Sequence, residues 1–514
     1  MSLRTKFLHA AIASALCVPM PHAGAVSLDS RGTGQVLLYP YYTVNAGNQT
    51  LLSVVNTTNR AKAVKVRFLE ARNSKQALGF SVYLGPFDTW TAAVFASSAT
   101  GPASIVTFDG TCTVPQLQVG QPQAFNAFAY SGASSDHPPA LDATLSAPER
   151  TREGHIEMIE MGLLQTGPGA TELAEESYTV NGGASNCPAI VAQWQQPGGG
   201  WLANPAADID APNGGLIGAA SIVDVEDGLM LSYRAEALRD FYTNAAAPGA
   251  LHAEPLGPTP NLASADNGGG FAEAKLDVPG VGVVTERYAL PTSRPDAVSL
   301  VLMQDRVLNE FNVDPALDAG TEGVVTFPTK RFYTDVATNA ETHAPFTDAF
   351  RDDGVAREQI QRDLRDREGR AWSLFTDGVC PPDFDPPRPS CATDFGSAVN
   401  VLEFSGGGLS PNATATEILG SPLVPGNADR IITQSTSNGV FASGWGYLRF
   451  EDAGSTGVEN RMTGPTTGLV YRGLPAIGFG VLRVINGNAL PGILANYGGA
   501  YRHRGTVSAS AVDP

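Results

Sequence analysis

The run Glu153-Gly154-His155-Ile156-Glu157-Met158-Ile159-Glu160 gathers more potential chemistry than any other short stretch of the chain. In an extended strand alternate side chains share a face, so Glu153, His155 and Glu157 project together. The alternation shifts at Ile159, which predicts a bulge and brings Glu160 close by. An imidazole beside carboxylates could hold a divalent ion or work as acid and base, with His155 and Glu157 as the candidate ligands. Glu157 and Glu160 are also the candidate carboxylates of a hydrolase acting on polysaccharide or ester. A half-buried antiparallel strand with a solvated polar face gives the same pattern, and that plainer reading is preferred.

A second oxygen-rich stretch, Asp208-Ile209-Asp210-Ala211-Pro212-Asn213-Gly214, begins like a calcium loop. Asp208 and Asp210 are its candidate Ca²⁺ ligands, although the third acidic position and the closing bidentate Glu are missing. Aromatic side chains offer binding rather than catalysis. Tyr39, Tyr41, Tyr42 and Trp90 could make a platform for a glycan or a partner protein. Pro40 between them marks an edge or bulged strand, where large aromatics also serve as core. The motifs of serine hydrolases, zinc proteases, phosphate loops and dinucleotide folds are absent from the sequence.

The elements that must carry these residues read as β. Val64, Val66 and Phe68 share one parity and Lys65 and Arg67 the other, and Phe80, Val82 and Leu84 repeat the device. Short runs of this kind recur from Gly32 to Phe95, from Leu216 to Tyr233, and from Ala398 to Val484, separated by Gly, Pro, Asn and Thr. Gly and Pro together number 93 of 514 residues and hydrophobic residues are 43%, which suits many strands joined by many turns around large cores. The fold class is mainly β: Ig-like or jelly-roll-type sandwiches with long loops and a few short helices. Two units are expected, residues 26–250 and 271–514, with 251–270 as a linker or exposed loop. Helices are expected over Ala235–Tyr242 and near 295–311, the second behind a capping Ser293 and Pro295. Asp352 to Trp372 fits either a helix or a charged edge strand.

Compartment follows from the start of the chain. Arg4 and Lys6, the apolar run Phe7 to Val18 and the small residues Ala23-Gly24-Ala25 read as a signal peptide cleaved after residue 25. The apolar run falls short of the roughly 20 residues that span a bilayer, so no transmembrane span is expected. Leu16 before Cys17 argues against lipidation. Cleavage would change the formal charge from 33 − 51 = −18 to 31 − 51 = −20, a surface that repels nucleic acid. Four cysteines remain, Cys112, Cys187, Cys380 and Cys391, and an even number in an exported chain argues for disulfides. Three connectivities are open; Cys112–Cys187 with Cys380–Cys391 is favoured. Their spacing does not fit a zinc site.

The opening Gly-x-Gly-Gln-Val-Leu-Leu-Tyr-Pro-Tyr-Tyr-Thr-Val (32–44), Val-Lys-Val-Arg-Phe-Leu-Glu (64–70) and Val-Val-Thr-Phe-Pro-Thr-Lys (324–330) resemble a family of uncharacterised exported or cell-surface proteins of Gram-negative bacteria. The resemblance implies export and an envelope or extracellular setting, and carries no catalytic residue. The expected function is therefore binding or assembly by a non-enzymatic exported protein, in the periplasm, at the surface or outside the cell. Its partners would be an envelope or extracellular protein, a glycan, or further copies of itself. A secreted hydrolase and a glycan-binding module are the alternatives.

Overall fold

The computed structural model of the chain describes residues 24–128, 147–165, 187–292, 295–335, 343–350, 356–371, 392–405, 414–422, 430–432, 434–435, 439–451, 459–486 and 495–511. The expected leader, Cys380 and Cys391 lie outside the described residues, apart from Gly24 and Ala25 at the leader's end.

The chain is mainly β and of sandwich type, as the alternation predicts. Fourteen strands build the first unit: β1 (Ser27–Leu28), β2 (Val36–Thr43), β3 (Asn48–Asn56), β4 (Lys62–Glu70), β5 (Gln76–Leu84), β6 (Thr89–Ala96), β7 (Ala103–Val106), β8 (Cys112–Val114), β9 (Gln123–Ala124), β10 (Glu153–Leu164), β11 (Ile209–Asp210), β12 (Leu216–Asp224), β13 (Leu229–Arg234) and β14 (Glu236–Arg239). They form one sheet ordered β1-β14-β2-β10-β4-β5-β8, with β11 beside β10, and a second ordered β13-β12-β3-β6-β7-β9. The core between them holds Phe68, Phe80, Trp90, Val54, Val94 and Ile222. Full burial of a Phe-sized side chain contributes roughly 1.5–3 kcal/mol, so this layer is a principal source of stability.

The first sheet is covered on its other face too. There Val36, Leu38, Ile159 and Met161 pack in a second cluster with Trp201, Leu251, Leu262 and the helix Asp296–Val301. Double cover explains why all residues of β2, β4 and β10 are buried. It also corrects the linker reading of 251–270, because Leu251, His252, Leu262 and Ala265 are buried against this sheet.

In the second unit the hairpin β15 (Phe271–Val278) and β16 (Gly282–Ala289) is followed by β17 (Arg306–Asn312), β18 (Ala319–Thr326), β19 (Glu358–Asp366), β20 (Ala392–Phe395), β21 (Val399–Ser405), β22 (Arg430–Ile432), β23 (Ser443–Arg449), β24 (Ile477–Val484), β25 (Tyr497–Arg502) and β26 (Arg504–Thr506). Two five-stranded sheets result, β20-β19-β23-β17-β26 and β22-β21-β18-β24-β25. Val325, Phe327 and Leu402 face the core between them, whereas Val324, Val399, Val401, Phe479 and Val481 turn the other way and join the first unit's core. The two sandwiches thus share a continuous apolar interface. It is reinforced by Thr326 Oγ1 donating to the Pro40 carbonyl at 2.6 Å and Asn48 Nδ2 donating to the Ile418 carbonyl at 3.0 Å.

Two helix expectations fail. Residues 236–239 form strand β14, and the helix near 295–311 ends at Val301, with Val307 and Phe311 on strand β17. In both places pairing with a sheet overrides a local pattern that a helix could also satisfy. Residues 358–366 are strand, though flanked on both sides rather than at an edge.

Candidate binding groove

The residues singled out for chemistry occupy the sheet interior. Tyr39, Tyr41, Tyr42 and Trp90 are each 0% exposed, so the aromatic platform is overturned. Strand β2 lies within the doubly covered sheet and bulges there: between Gly154 and Ile156 of β10 the register jumps from Tyr42 to Tyr39, so Tyr41 and Pro40 oppose His155 alone. Pro40 sits there, where its missing N–H costs no ladder bond, and Tyr39 and Tyr42 fall on the same side. Their hydroxyls are spent inside, Tyr39 on the Ser53 carbonyl at 2.7 Å, Tyr41 on Glu153 Oε2 at 2.8 Å and Tyr42 on the Thr151 carbonyl at 3.1 Å.

The polar face of β10 is buried rather than solvated. Glu157 Oε2 accepts from Arg67 Nη1 at 2.8 Å, and Glu160 Oε1 accepts from Lys62 Nζ at 2.7 Å. The backbone N–H groups of Asn213 and Gly214 also donate to Glu160. Burial pushes both carboxyls up, while the neighbouring cations pull them back. His155 is 1% exposed, and neither ring nitrogen has a hydrogen-bond partner. Burial, with Arg67 adding to it, pushes its imidazole down to about 3, so it is neutral. The carboxylates at 157 and 160 act as counter-ions within the scaffold. A register shift does occur in this strand, between Glu160 and Gly162.

Asp208 and Asp210 do not converge either. Asp210 Oδ2 meets Arg60 Nη2 at 2.9 Å and its Oδ1 accepts from Gln165 Nε2 at 3.0 Å, while Asp208 is exposed. Among the described residues no three His, Cys, Asp or Glu side chains come together as metal ligands. Cys112 and Cys187 are disulfide-bonded, with Cα atoms 5.3 Å apart.

The concave site that the fold makes lies where the two units meet. Strand β13 is hydrogen-bonded only to β12 and β25 only to β24, so two outer strand edges confront each other without ladder bonds between them among the described residues. They touch at one end, where Gly498 packs beside Leu229 and Leu231 and Asn496 Nδ2 donates to the Asp227 carbonyl at 2.7 Å. Toward Arg234 and Arg502 they border a groove of about 540 Å³. Its base is the stacked pair Tyr233 and Phe479, with ring centroids 4.5 Å apart, and Pro40. Arg502 Nε meets Glu236 Oε1 at 2.6 Å across it. Burial raises the Glu236 carboxyl and Arg502 opposes the rise. A smaller recess of about 240 Å³ shares Glu236, Gly478 and Arg502 and ends at His503. Burial pushes His503 down to about 4, and its Nε2 lies 2.7 Å from the Val324 carbonyl. A side chain at Gly478 would collide with that same carbonyl, 1.9 Å from its Cβ position.

Of the groove residues the sequence marked only Pro40, as an edge or bulge position. Residues 232–236 are joined to 478–479 and 500–502 only by the packing of the two units, and no local spacing announces it. The volume is in the range of ligand clefts, and apolar walls with a few polar groups suit recognition. No family model matches the chain, and no curated protein matches its sequence. What the fold and the groove define is a class, a two-sandwich β protein with a cleft at the joint. Among the described residues no helix is long and apolar enough to cross a membrane.

Proposed function

We propose that the chain is a non-enzymatic exported protein of the cell envelope or surface that acts by binding, taking an extended chain segment into the groove between β13 and β25. The observation that carries the reading is the pair of unpaired strand edges bordering a cleft. Such edges offer backbone donors and acceptors to an added strand, and side-chain pockets beside them select its sequence. The Tyr233–Phe479 base supplies apolar contact, and Arg502 with Glu236 supplies a polar lip. The Cys112–Cys187 bridge supports an oxidising compartment, in keeping with the leader-like residues 1–25.

The test is recovery of isolated envelope material by the purified mature protein, compared with Ala500→Trp, which fills the groove from β25. Retention by the wild type and its loss in the variant, with an unchanged thermal melt, is the expected result. Equal retention by both proteins would exclude the groove, and a wild type that stays free of all envelope fractions would exclude the function.

A further inference from the structure

The outward face of the second sheet has a composition that solvent alone does not explain. Along β13, β12, β3 and β6 the register sets Met230 beside Val223, Ser221 beside Leu51, and Ile217 beside Val55. Leu51 is 42% exposed, Ile217 37% and Met230 56%, and Ser, Thr, Ala and Gln49 fill the positions between them. No Asp, Glu or Lys stands at an outward position of these four strands. Arg234 is the single charge there, and no ion-pair partner faces it among the described residues. The hairpin β15–β16 shows what a solvated face of this same protein looks like, with Glu273, Lys275, Asp277 and Arg287 outward. A flat, acid-free face on a chain of net charge −18 is therefore a departure from the protein's own habit.

We infer that this face is where two copies of the chain pair, sheet against sheet, about a two-fold axis. Four strands spaced about 4.8 Å apart and about eight residues long span roughly 500 Å² in projection. Corrugation and the exposed turn residue Val225 raise the accessible area toward the roughly 800 Å² per partner of a standard interface. Electrostatics selects the occupant. Two chains of charge −18 repel over most of their surfaces, and this face lets them meet without opposing carboxylates. An axis lying in the sheet plane and running across the strands sets β13 antiparallel over β13 of the second copy. That operation carries Arg234 over the acidic β12–β13 turn of the other chain, Glu226-Asp227, and does so twice. An isologous contact with an apolar centre and charged pairs at its rim results.

Sedimentation equilibrium of the full mature chain at micromolar concentration tests the inference. A dimer is expected, and Leu51→Glu with Met230→Glu should weaken it at least 100-fold while leaving the thermal melt unchanged. Arg234→Glu should weaken it about tenfold, and adding Glu226→Arg should restore it. A wild type that stays monomeric at 100-fold higher concentration would overturn the proposal, as would a dimer indifferent to Leu51→Glu with Met230→Glu. Failure of the charge swap to restore pairing would overturn the axis. Ala219, Ser232 and Arg234 border the groove but Leu51 and Met230 do not, so Leu51→Glu with Met230→Glu should break the dimer while leaving retention of envelope material by the groove unchanged, which separates this inference from the groove reading.

Discussion

Replacing Lys62 by Met should destabilise the first unit by about 3–5 kcal/mol, because it leaves the Glu160 carboxylate buried without its cation. Both side chains are 0% exposed and 2.7 Å apart. Glu160 would keep the Asn213 and Gly214 amides but lose the ammonium. Glu160→Gln should cost a similar amount by stranding Lys62, whose remaining side-chain partner is Asn213 Oδ1. The double variant removes both charges together. What remains is the loss of charge-assisted bonds to two amides, about 1–3 kcal/mol. The cycle should therefore show a coupling of several kcal/mol. For a unit of this size each kcal/mol corresponds to about 2–4 °C, so the single variants should melt roughly 6–20 °C lower. Calorimetry and urea titrations followed by tryptophan fluorescence supply the values. Costs below about 1 kcal/mol for both single variants, or a double variant equal to their sum, would refute the picture of a dry ion pair. The same proteins address chemistry: a hydrolase using Glu160 would lose its turnover in Glu160→Gln while remaining folded under assay conditions.

The unpartnered His155 predicts a gain: His155→Leu should raise stability by about 1–3 kcal/mol, measured by urea denaturation at pH 7, because an unsatisfied buried polar group is removed. The three buried histidines should each withdraw stability as pH falls from 6.5 to about 4. Burial lowers His155 to about 3 and His252 and His503 to about 4, so at these sites the unfolded chain binds more protons in this window and their contribution falls as pH falls. Glu322, raised to about 7 by burial, and Glu153, Glu157, Glu160, Glu236 and Glu358, also raised by burial, contribute with the opposite sign, so the histidine contribution is read as a difference: a His155→Leu variant that loses stability on acidification as steeply as the wild type would contradict the assignment. Reduction of Cys112–Cys187, 75 residues apart, should cost about 4 kcal/mol by loop-closure entropy, read as a lower urea midpoint with dithiothreitol, and in Cys112→Ala the response to reductant should shrink by that amount.

Strand type was legible wherever a segment pairs with its neighbours in the way its own alternation demands. Val64, Val66 and Phe68 enter the inter-sheet core as their parity requires, and Cys112–Cys187, one pair of the favoured connectivity among three, is bonded. The failures have one origin. Lys65, Arg67, His155 and Glu157 alternate as a solvated face would, yet all four are buried, and Lys65 Nζ donates to the Glu254 carbonyl at 2.8 Å. Alternation reports that two faces differ; it does not report what lies over the polar one. Ala235–Tyr242 and the stretch after Val301 failed for a related reason, since a short apolar run satisfies a helix and a strand equally until a partner strand is present.

By itself, then, the amino-acid order determined the β class, the inward parity of the opening strands and the disulfide-forming cysteines, because each depends on neighbours within a few residues or on composition. The tertiary structure alone decided that the tyrosines are core, that the carboxylates of β10 are counter-ions, and that β13 and β25 frame a groove. Those facts depend on contacts between segments one hundred to several hundred residues apart. Such contacts are fixed by which large apolar faces can be buried together, and no local spacing encodes that choice.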